Sequence, residues 1–482
     1  MAGQRDIVIV GAGHAGLCLA AQLRRAGHRR ITLLERGDRL GGTWRDNIYP
    51  GAACDTPAFS YCFSFAQKRD WSRKWAPQAE ILGYLEQLAD DHDLRRHIHT
   101  GVAVAGARRQ GGRWRLRTSA GDIDADVLIS AVGQLGRPRL PHFAGLADFA
   151  GSRFHSAAWP RGWDPAGRDV AVIGSAASAV QLVPAIAPRV RRLTVFQRSP
   201  NWILPMDNRA FRPWERALLE RVPAAARLYR WYLYYAFEAR YPVIRARPWA
   251  AGRATELALE HLTEQVADPE LRRRLTPDYP IAAKRVLLSD DYYPALQQGN
   301  VRLVTEPIEC FTRAGLVTRD GREHRVDAAI FATGFDATAF LAPMEISGEG
   351  GVTLAARWAA GASAYLGITV PGFPNLFLMY GPNTNLGHNS ILFMLECQAR
   401  YIVDCLRQMD RRGLRSIDVR AEVHARWLRA VERDLADTAW AQVDDSWYRH
   451  ESGRITNNWP RSTLAYYFRT RRADMSDFIA AR

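Results

Sequence analysis

The sequence predicts an α/β protein with two dinucleotide-binding, Rossmann-like domains and a helical insertion in the second. Three observations carry this. A buried-strand run, a glycine turn, an apolar helix pattern and a second strand open the chain; the same series returns midway; and a helix-rich stretch follows it. With 482 residues, 47% apolar and 24% charged, the chain has the length for two or three domains and the apolar content for a sizeable core.

Asp6–Val10 reads as a strand, Gly11-Ala-Gly13-His-Ala-Gly16 as the turn, and Leu17, Leu19, Ala20 and Leu23 as the apolar face of a helix. The strand Ile31–Leu34 then ends in Glu35. Gly11 permits the tight turn, Gly13 admits a pyrophosphate to the backbone, and Gly16 lets helix and strand pack closely. The helix N-terminus offers N–H groups to phosphate, and Glu35 can accept from a ribose 2′-OH.

The second unit runs from Asp169–Ile173 through Gly174-Ser-Ala-Ala-Ser-Ala179 to the strand Leu193–Phe196. At the offset where the first unit has Glu35, the second has Arg198, followed by Ser199. A guanidinium holds a 2′-phosphate that a carboxylate would repel. The first site therefore reads as a flavin dinucleotide (FAD) site. The second, with Gly174, Ser175, Ser178, Arg198 and Ser199, reads as an NADPH site. Ala176 and Ala179 replace glycines of the motif, so a unit kept only for packing is the alternative.

Asp124–Gly133 and Arg325–Gly334 are strands ending in glycine that would close the two sheets, each preceded by hairpin-like segments (114–119 and 301–317). Prolines at 138, 141 and 160 mark a linker. The predicted organisation is 1–140, first part of the FAD domain; 141–168, linker; 169–320, NADPH domain with a helical insertion at about 208–278; and 321–482, completion of the FAD domain. Within the insertion, Tyr229, Trp231, Tyr232, Tyr234, Tyr235 and Phe237 either line a substrate pocket or serve packing and interfaces.

The net charge of +15 is almost wholly arginine, with lysine only at 68, 74 and 284. The arginines are spread along the chain rather than gathered into a nucleic-acid-binding stripe. Six scattered cysteines without a CxxC pair indicate neither a disulfide framework nor a thiolate metal site. With no apolar run of about 20 residues and no signal-peptide pattern, the chain reads as cytoplasmic, without a membrane span, and as a monomer or homodimer.

Gly41-Gly42-Thr43-Trp44 through Tyr49-Pro-Gly-Ala-Ala-Cys-Asp55, and Phe149-Ala-Gly151-Ser-Arg-Phe-His155-Ser-Ala-Ala-Trp159-Pro160, closely resemble the two fingerprints of class B flavoprotein monooxygenases of the Baeyer-Villiger type. The tail segments Trp447-Tyr and Asn457-Asn-Trp-Pro460 are most similar to the 4-hydroxyacetophenone monooxygenase branch. The resemblance implies FAD, NADPH and O₂ as reactants, a flavin C4a-peroxide that attacks a ketone, and a Criegee-type rearrangement to an ester or lactone. It also implies that Arg285 is the catalytic cation, that Asp55 orients it, and that Lys284 joins Arg198 on the 2′-phosphate. Trp44 would stack near the flavin, with Gly42 and Thr43 beside it, and Asp336 would contact the flavin cofactor. His155 and Trp159 would position the domains. The related N- or S-oxygenating flavin monooxygenases and a non-enzymatic flavin redox sensor are the competing readings. Ala176 and Ala177 depart from the family's usual residues.

Overall fold

The computed structural model describes residues 5–482; residues 1–4, at which the predicted FAD domain begins, lie outside the described residues. The first unit runs β1 (Ile7–Val10), α1 (His14–Arg25), β2 (Ile31–Glu35), α2 (Thr43–Asp46), α3 (Gln78–Asp91) and β3 (Ile98–Thr100). An antiparallel meander of β4 (Val104–Gln110), β5 (Arg113–Thr118) and β6 (Gly121–Ala125) leads to β7 (Val127–Ser130).

The second unit repeats this plan with β8 (Ser152–His155), β9 (Asp169–Ile173), α4 (Ala177–Ile186), β10 (Arg192–Phe196) and β11 (Ile203–Leu204). The insertion is five helices: α5 (Pro213–Arg221), α6 (Pro223–Glu238), α7 (Tyr241–Ile244), α8 (Pro248–Gln265) and α9 (Pro269–Leu275). Then come β12 (Leu287–Leu288), α10 (Tyr292–Leu296), β13 (Val301–Val304), the meander β14 (Ile308–Thr312), β15 (Gly315–Thr318) and β16 (Glu323–Arg325), and β17 (Ala328–Phe331). The chain closes with β18 (Glu345–Ser347), α11 (Leu354–Arg357), β19 (Leu376–Leu378), α12 (Ile391–Arg411), β20 (Ser416–Val419), α13 (Ala421–Ala436), α14 (Thr463–Arg469) and β21 (Phe478–Ala481).

Two parallel five-stranded sheets result, in the orders β19-β7-β1-β2-β3 and β8-β17-β9-β10-β13. The central strands β1, β7, β9 and β17 are buried along their whole length, which is why they read as near-continuous apolar runs. The predicted α/β class with two dinucleotide folds and a helical insertion is the observed architecture.

The strand pairing revises the expected boundaries. β8 lies inside the predicted linker yet pairs with β17, and β17 lies beyond residue 320 yet pairs with β9. The second sheet therefore extends on both sides of 169–320, and the chain rejoins the first unit only afterwards, where β18 pairs with β4 and β19 with β7. The expected hairpin at 301–317 also divides: β13 is a parallel sheet strand beside β10, and the meander starts at β14.

Candidate active site

The two glycine turns are built alike. Gly11 has φ +106° and Gly174 φ +112°, the left-handed region that favours glycine; a Cβ on Gly11 would stand 2.6 Å from the Ala131 carbonyl oxygen. The next motif position needs no such freedom: Gly13 (φ −87°, ψ −165°) and Ala176 (φ −85°, ψ −163°) share one extended conformation. Ala176 is therefore conformationally equivalent to the glycine it replaces. No side chain caps the amino end of α1 or of α4, which leaves their first-turn amides for an anion.

The residues of the first unit fit a dinucleotide. A Cβ on Gly13 would meet nothing nearer than the Gly42 Cα at 3.6 Å, and the Gly41 amide donates to the Ala12 carbonyl, so the Gly41–Gly42 turn faces the start of α1. Gln134, just beyond β7, has a buried Oε1 without a partner. Beside Glu35 opens a cleft of about 410 Å³ lined by Arg36, Gly37, Arg45, Leu135, Gly136 and Phe335, at the carboxyl ends of the strands where open α/β sheets take ligands.

Glu35 itself is occupied. Its buried carboxylate accepts from the Ala12 amide (3.0 Å), the Gly37 amide (2.8 Å) and Arg45 Nη1 (2.6 Å). It braces the turn, and Arg45, which the sequence reading passed over, is its ion-pair partner. Thr43 is exposed at the start of α2, while Trp44 is buried and donates from Nε1 to the Tyr61 hydroxyl (3.2 Å).

Arg285 and Asp55 meet. Arg285 Nε and Nη2 both donate to Asp55 Oδ2, at 2.8 and 2.6 Å, joining segments 230 residues apart. Arg285 lies just before β12, which the pairing of β11 with β12 holds in place: the Leu287 amide donates to the Trp202 carbonyl at 2.9 Å. The Asp55 carboxylate drives the Arg285 pKa up; burial opposes it, and the neighbouring Tyr448 and Tyr380 add to the rise. Burial in turn pushes the Tyr448 hydroxyl up to about 12.

Both tyrosines arrive through the tail. The Asn383 amide donates to the Thr456 carbonyl (2.8 Å), Asn385 Nδ2 to Asn458 Oδ1 (2.8 Å), and the Tyr380 hydroxyl to Asn385 Oδ1 (2.7 Å). The 380–385 segment and the tail around 456–458 thus lock together beside Arg285. Tyr61 links this region to α1: its ring meets His14 at 5.1 Å, and its hydroxyl feels the charge of Asp55.

The segment ahead of Asp55 is anchored across the domain boundary. The Tyr49 hydroxyl donates to Gln181 Oε1 (2.8 Å) and Gln181 Nε2 donates to the Ala53 carbonyl (2.9 Å), so α4 of the second unit holds the first fingerprint. Tyr49 and Ala52 pack in the same apolar cluster as Trp159 and Val180.

The remaining predicted residues are spread around this centre. Arg198 is exposed and pairs with Asp445 (3.0 Å). Lys284 lies over the Tyr279 ring at 4.8 Å, and the Tyr279 hydroxyl donates to the Pro200 carbonyl (3.0 Å), which brings Lys284 to the Arg198–Pro200 segment. Ser175 Oγ donates to the Ser199 carbonyl (2.9 Å), and Ser178 lies half-buried on the first turn of α4. Asp336 reaches Arg137 at 3.4 Å rather than the glycine turn. His155 is buried, its Nδ1 accepting from the Ala157 amide (3.1 Å); Nε2 therefore carries the proton and donates to the Gly334 carbonyl (3.0 Å). Burial lowers its pKa, so it acts as a neutral brace between β8 and the end of β17. Trp159 packs edge-on against Phe154 and Trp163. Among the described residues no helix is long and apolar enough to cross a membrane.

Comparison with known proteins agrees in scale with this geometry. Residues 8–233 match the family model described as pyridine nucleotide-disulphide oxidoreductase. The chain is 40% identical over 480 residues to a Baeyer-Villiger monooxygenase of Streptomyces coelicolor, covering 99% of this chain and 92% of that protein. It is 40% identical over 477 residues to one of Pseudomonas aeruginosa, covering 98% and 90%. Among solved structures it is similar to an oxidized steroid monooxygenase bound to NADP (TM-score 0.89, 31% identity, 99% of both chains). It is also similar to a closed cyclohexanone monooxygenase (TM-score 0.89, 29% identity, 100% of this chain and 99% of that one).

Proposed function

The chain belongs to the Baeyer-Villiger type of class B flavoprotein monooxygenases, and from that premise we propose that it converts ketones to esters or lactones with FAD, NADPH and O₂. Bound FAD, reduced by NADPH, supplies the activation of O₂ and the delivery of one oxygen atom. The rest falls to side chains.

The first glycine turn and α1 would hold the FAD pyrophosphate, Gly13 and Gly42 leaving it room, with Trp44 close by. The second turn and α4 hold NADPH, and Arg198 and Lys284 take its 2′-phosphate. Asp336, paired with Arg137 at the crossing between the two units, supports the flavin side through the backbone. His155 and Trp159 keep the second sheet and the fingerprint loop in register.

The observation that carries the reading is the Arg285–Asp55 pair. Two guanidinium N–H groups are committed to one carboxylate oxygen, leaving Nη1 directed elsewhere. The arginine is permanently charged at working pH and is fixed before reaction, so it can stabilise negative charge that develops on oxygen when the carbonyl is attacked. Asp55 sets its orientation, and Tyr380 and Tyr448 lie beside it.

The tail segments at 447–448 and 457–460 support an aryl-ketone preference of the 4-hydroxyacetophenone kind. The test is incubation of the FAD-loaded protein with NADPH, O₂ and a panel of aryl, cyclic and linear ketones plus sulfides, with products identified by mass spectrometry. Esters or lactones are expected. Sulfoxides alone, with every ketone returned unchanged, would replace this reading with heteroatom oxygenation.

A further inference from the structure

The helical insertion presents to solvent a face that the oxygenation chemistry does not use. On α6 the exposed side chains Leu228 (70%), Trp231 (53%), Tyr232 (67%) and Tyr235 (56%) recur at three- and four-residue steps, while Ala226, Leu233 and Tyr234 turn inward. Trp214 (61%) extends the face on α5. The α14 helix lies alongside: the Tyr234 hydroxyl is 2.7 Å from Thr463 Oγ1, and Phe393 bridges the Tyr234 and Tyr467 rings. From α14, Phe468 points outward at 66% exposure. Soluble proteins seldom gather large aromatic side chains in one exposed stripe.

Basic side chains predominate around the stripe, the nearby acids Asp70 and Asp207 being paired with Lys68 and Lys74. Arg221 and Arg227, on α5 and α6, and Arg471 and Arg472, just past the end of α14, are exposed. Residues 212–250 contain three acids, and each is spent: Glu215 is held by Arg209 (2.6 and 2.7 Å), Glu220 by Arg216 (2.6 Å), and Glu238 faces inward to Asn389 and Thr463. Residues 461–472 contain no acid.

We propose that the α5–α6 face, with the outer side of α14, docks on an anionic phospholipid surface. Trp and Tyr place an apolar ring at the acyl boundary and a polar edge among headgroups, and the flanking arginines meet lipid phosphates. The helices lie on such a surface without entering it, since none among the described residues is long and apolar enough to span it. A second copy of this chain is the poorer occupant. A twofold contact would set the same uncompensated arginines against one another.

The FAD-loaded full chain is sedimented with vesicles of phosphatidylcholine alone or mixed with phosphatidylglycerol. The expected result is roughly tenfold or greater enrichment on the anionic vesicles, reversed by high salt. The triple variant Trp231→Ser, Tyr232→Ser, Tyr235→Ser should lose that enrichment while NADPH oxidation is unchanged. The pair Arg221→Glu, Arg227→Glu, which leaves the aromatic stripe intact, should lose it too and guards against a folding defect in the first. Equal binding to both vesicle types, or anionic-vesicle binding that survives both variants, would overturn the proposal. So would a dimer in light scattering that the triple variant splits, in the absence of vesicle binding.

Discussion

Replacing Arg285 by alanine removes the fixed cation and leaves the Asp55 carboxylate without its partner. The cost to folding is small. Both side chains are about a third exposed, at 33% and 29%, so solvent screens the pair, and its contribution to stability is about 1 kcal/mol. In a chain of 482 residues that shifts Tm by no more than about 2–4 °C. Neither glycine turn touches Arg285, so FAD retention and NADPH binding should persist. The cost to oxygen insertion is large: loss of one preorganised donor at a developing oxyanion is worth about 10²–10³ in kcat, or about 2.7–4 kcal/mol. NADPH consumption, O₂ uptake and ester yield should therefore separate, with NADPH and O₂ still consumed and the reducing equivalents appearing as hydrogen peroxide. Asp55→Asn, which keeps the cation but loosens it, should cost up to about 10²-fold in ester formation by misplacement. Ester yield from Arg285→Ala within about threefold of the parent protein would mean that the guanidinium does not act on the reacting oxygen.

Arg198→Ala should raise KM for NADPH by about 10–100-fold through loss of charge-assisted hydrogen bonds, with KM for NADH little changed; a constant ratio would remove Arg198 from the 2′-phosphate. Because Asp445 competes for the same exposed guanidinium, Asp445→Ala should lower KM for NADPH by up to about fivefold. Gly13→Ala should fold normally, since Ala176 already adopts the same torsions, yet lower the FAD-to-protein ratio after gel filtration, whereas Gly11→Ala should yield little folded protein. Gln181→Ala frees the Tyr49–Ala53 segment and should reduce ester formed per NADPH consumed while Tm drops by only a few degrees, about the loss of its three hydrogen bonds; unchanged coupling would confine Gln181 to packing. Burial raises the Glu238 carboxyl, but the approach of His388 (3.4 Å) and hydrogen bonds from Thr463 and Asn389 outweigh it and hold it at about 2 against an ordinary 4.5. A depressed carboxyl stabilises the fold above its unfolded value and loses that contribution as pH falls toward the folded one, so Tm should fall more steeply between about pH 5 and 3 than in Glu238→Gln.

The parts of the fold that could be read in the sequence are those whose causes are local. Gly11 and Gly174 are required by a backbone torsion, and the central strands by burial on both faces. The boundaries failed for the opposite reason. β8 is a four-residue edge strand, Ser-Arg-Phe-His, half-exposed and without an apolar run, and only its pairing with β17 makes it part of a sheet. The second role of Glu35 was equally hidden. An acid at a strand end signals a ribose, but nothing in the sequence says that Arg45 and two amides share it. The aromatic cluster of the insertion also needed coordinates: helical spacing sorts its members into faces, yet only packing shows that Tyr234 is inside and Trp231, Tyr232 and Tyr235 are outside.

The first fingerprint owes its length to the number of partners it must satisfy at once. Its Gly41–Gly42 turn packs on the start of α1, Tyr49 and Ala53 bind Gln181 on α4, and Asp55 holds Arg285 ahead of β12. Residues 41–55 therefore touch the FAD cradle, the NADPH helix and the candidate catalytic cation in succession. A movement of α4 when NADPH binds cannot leave Asp55 where it was unless the strap stretches, and a strap fixed at both ends by hydrogen bonds has little slack. On the proposed assignment of α4 to NADPH, occupancy of that site would act on the cation through the same short length of chain.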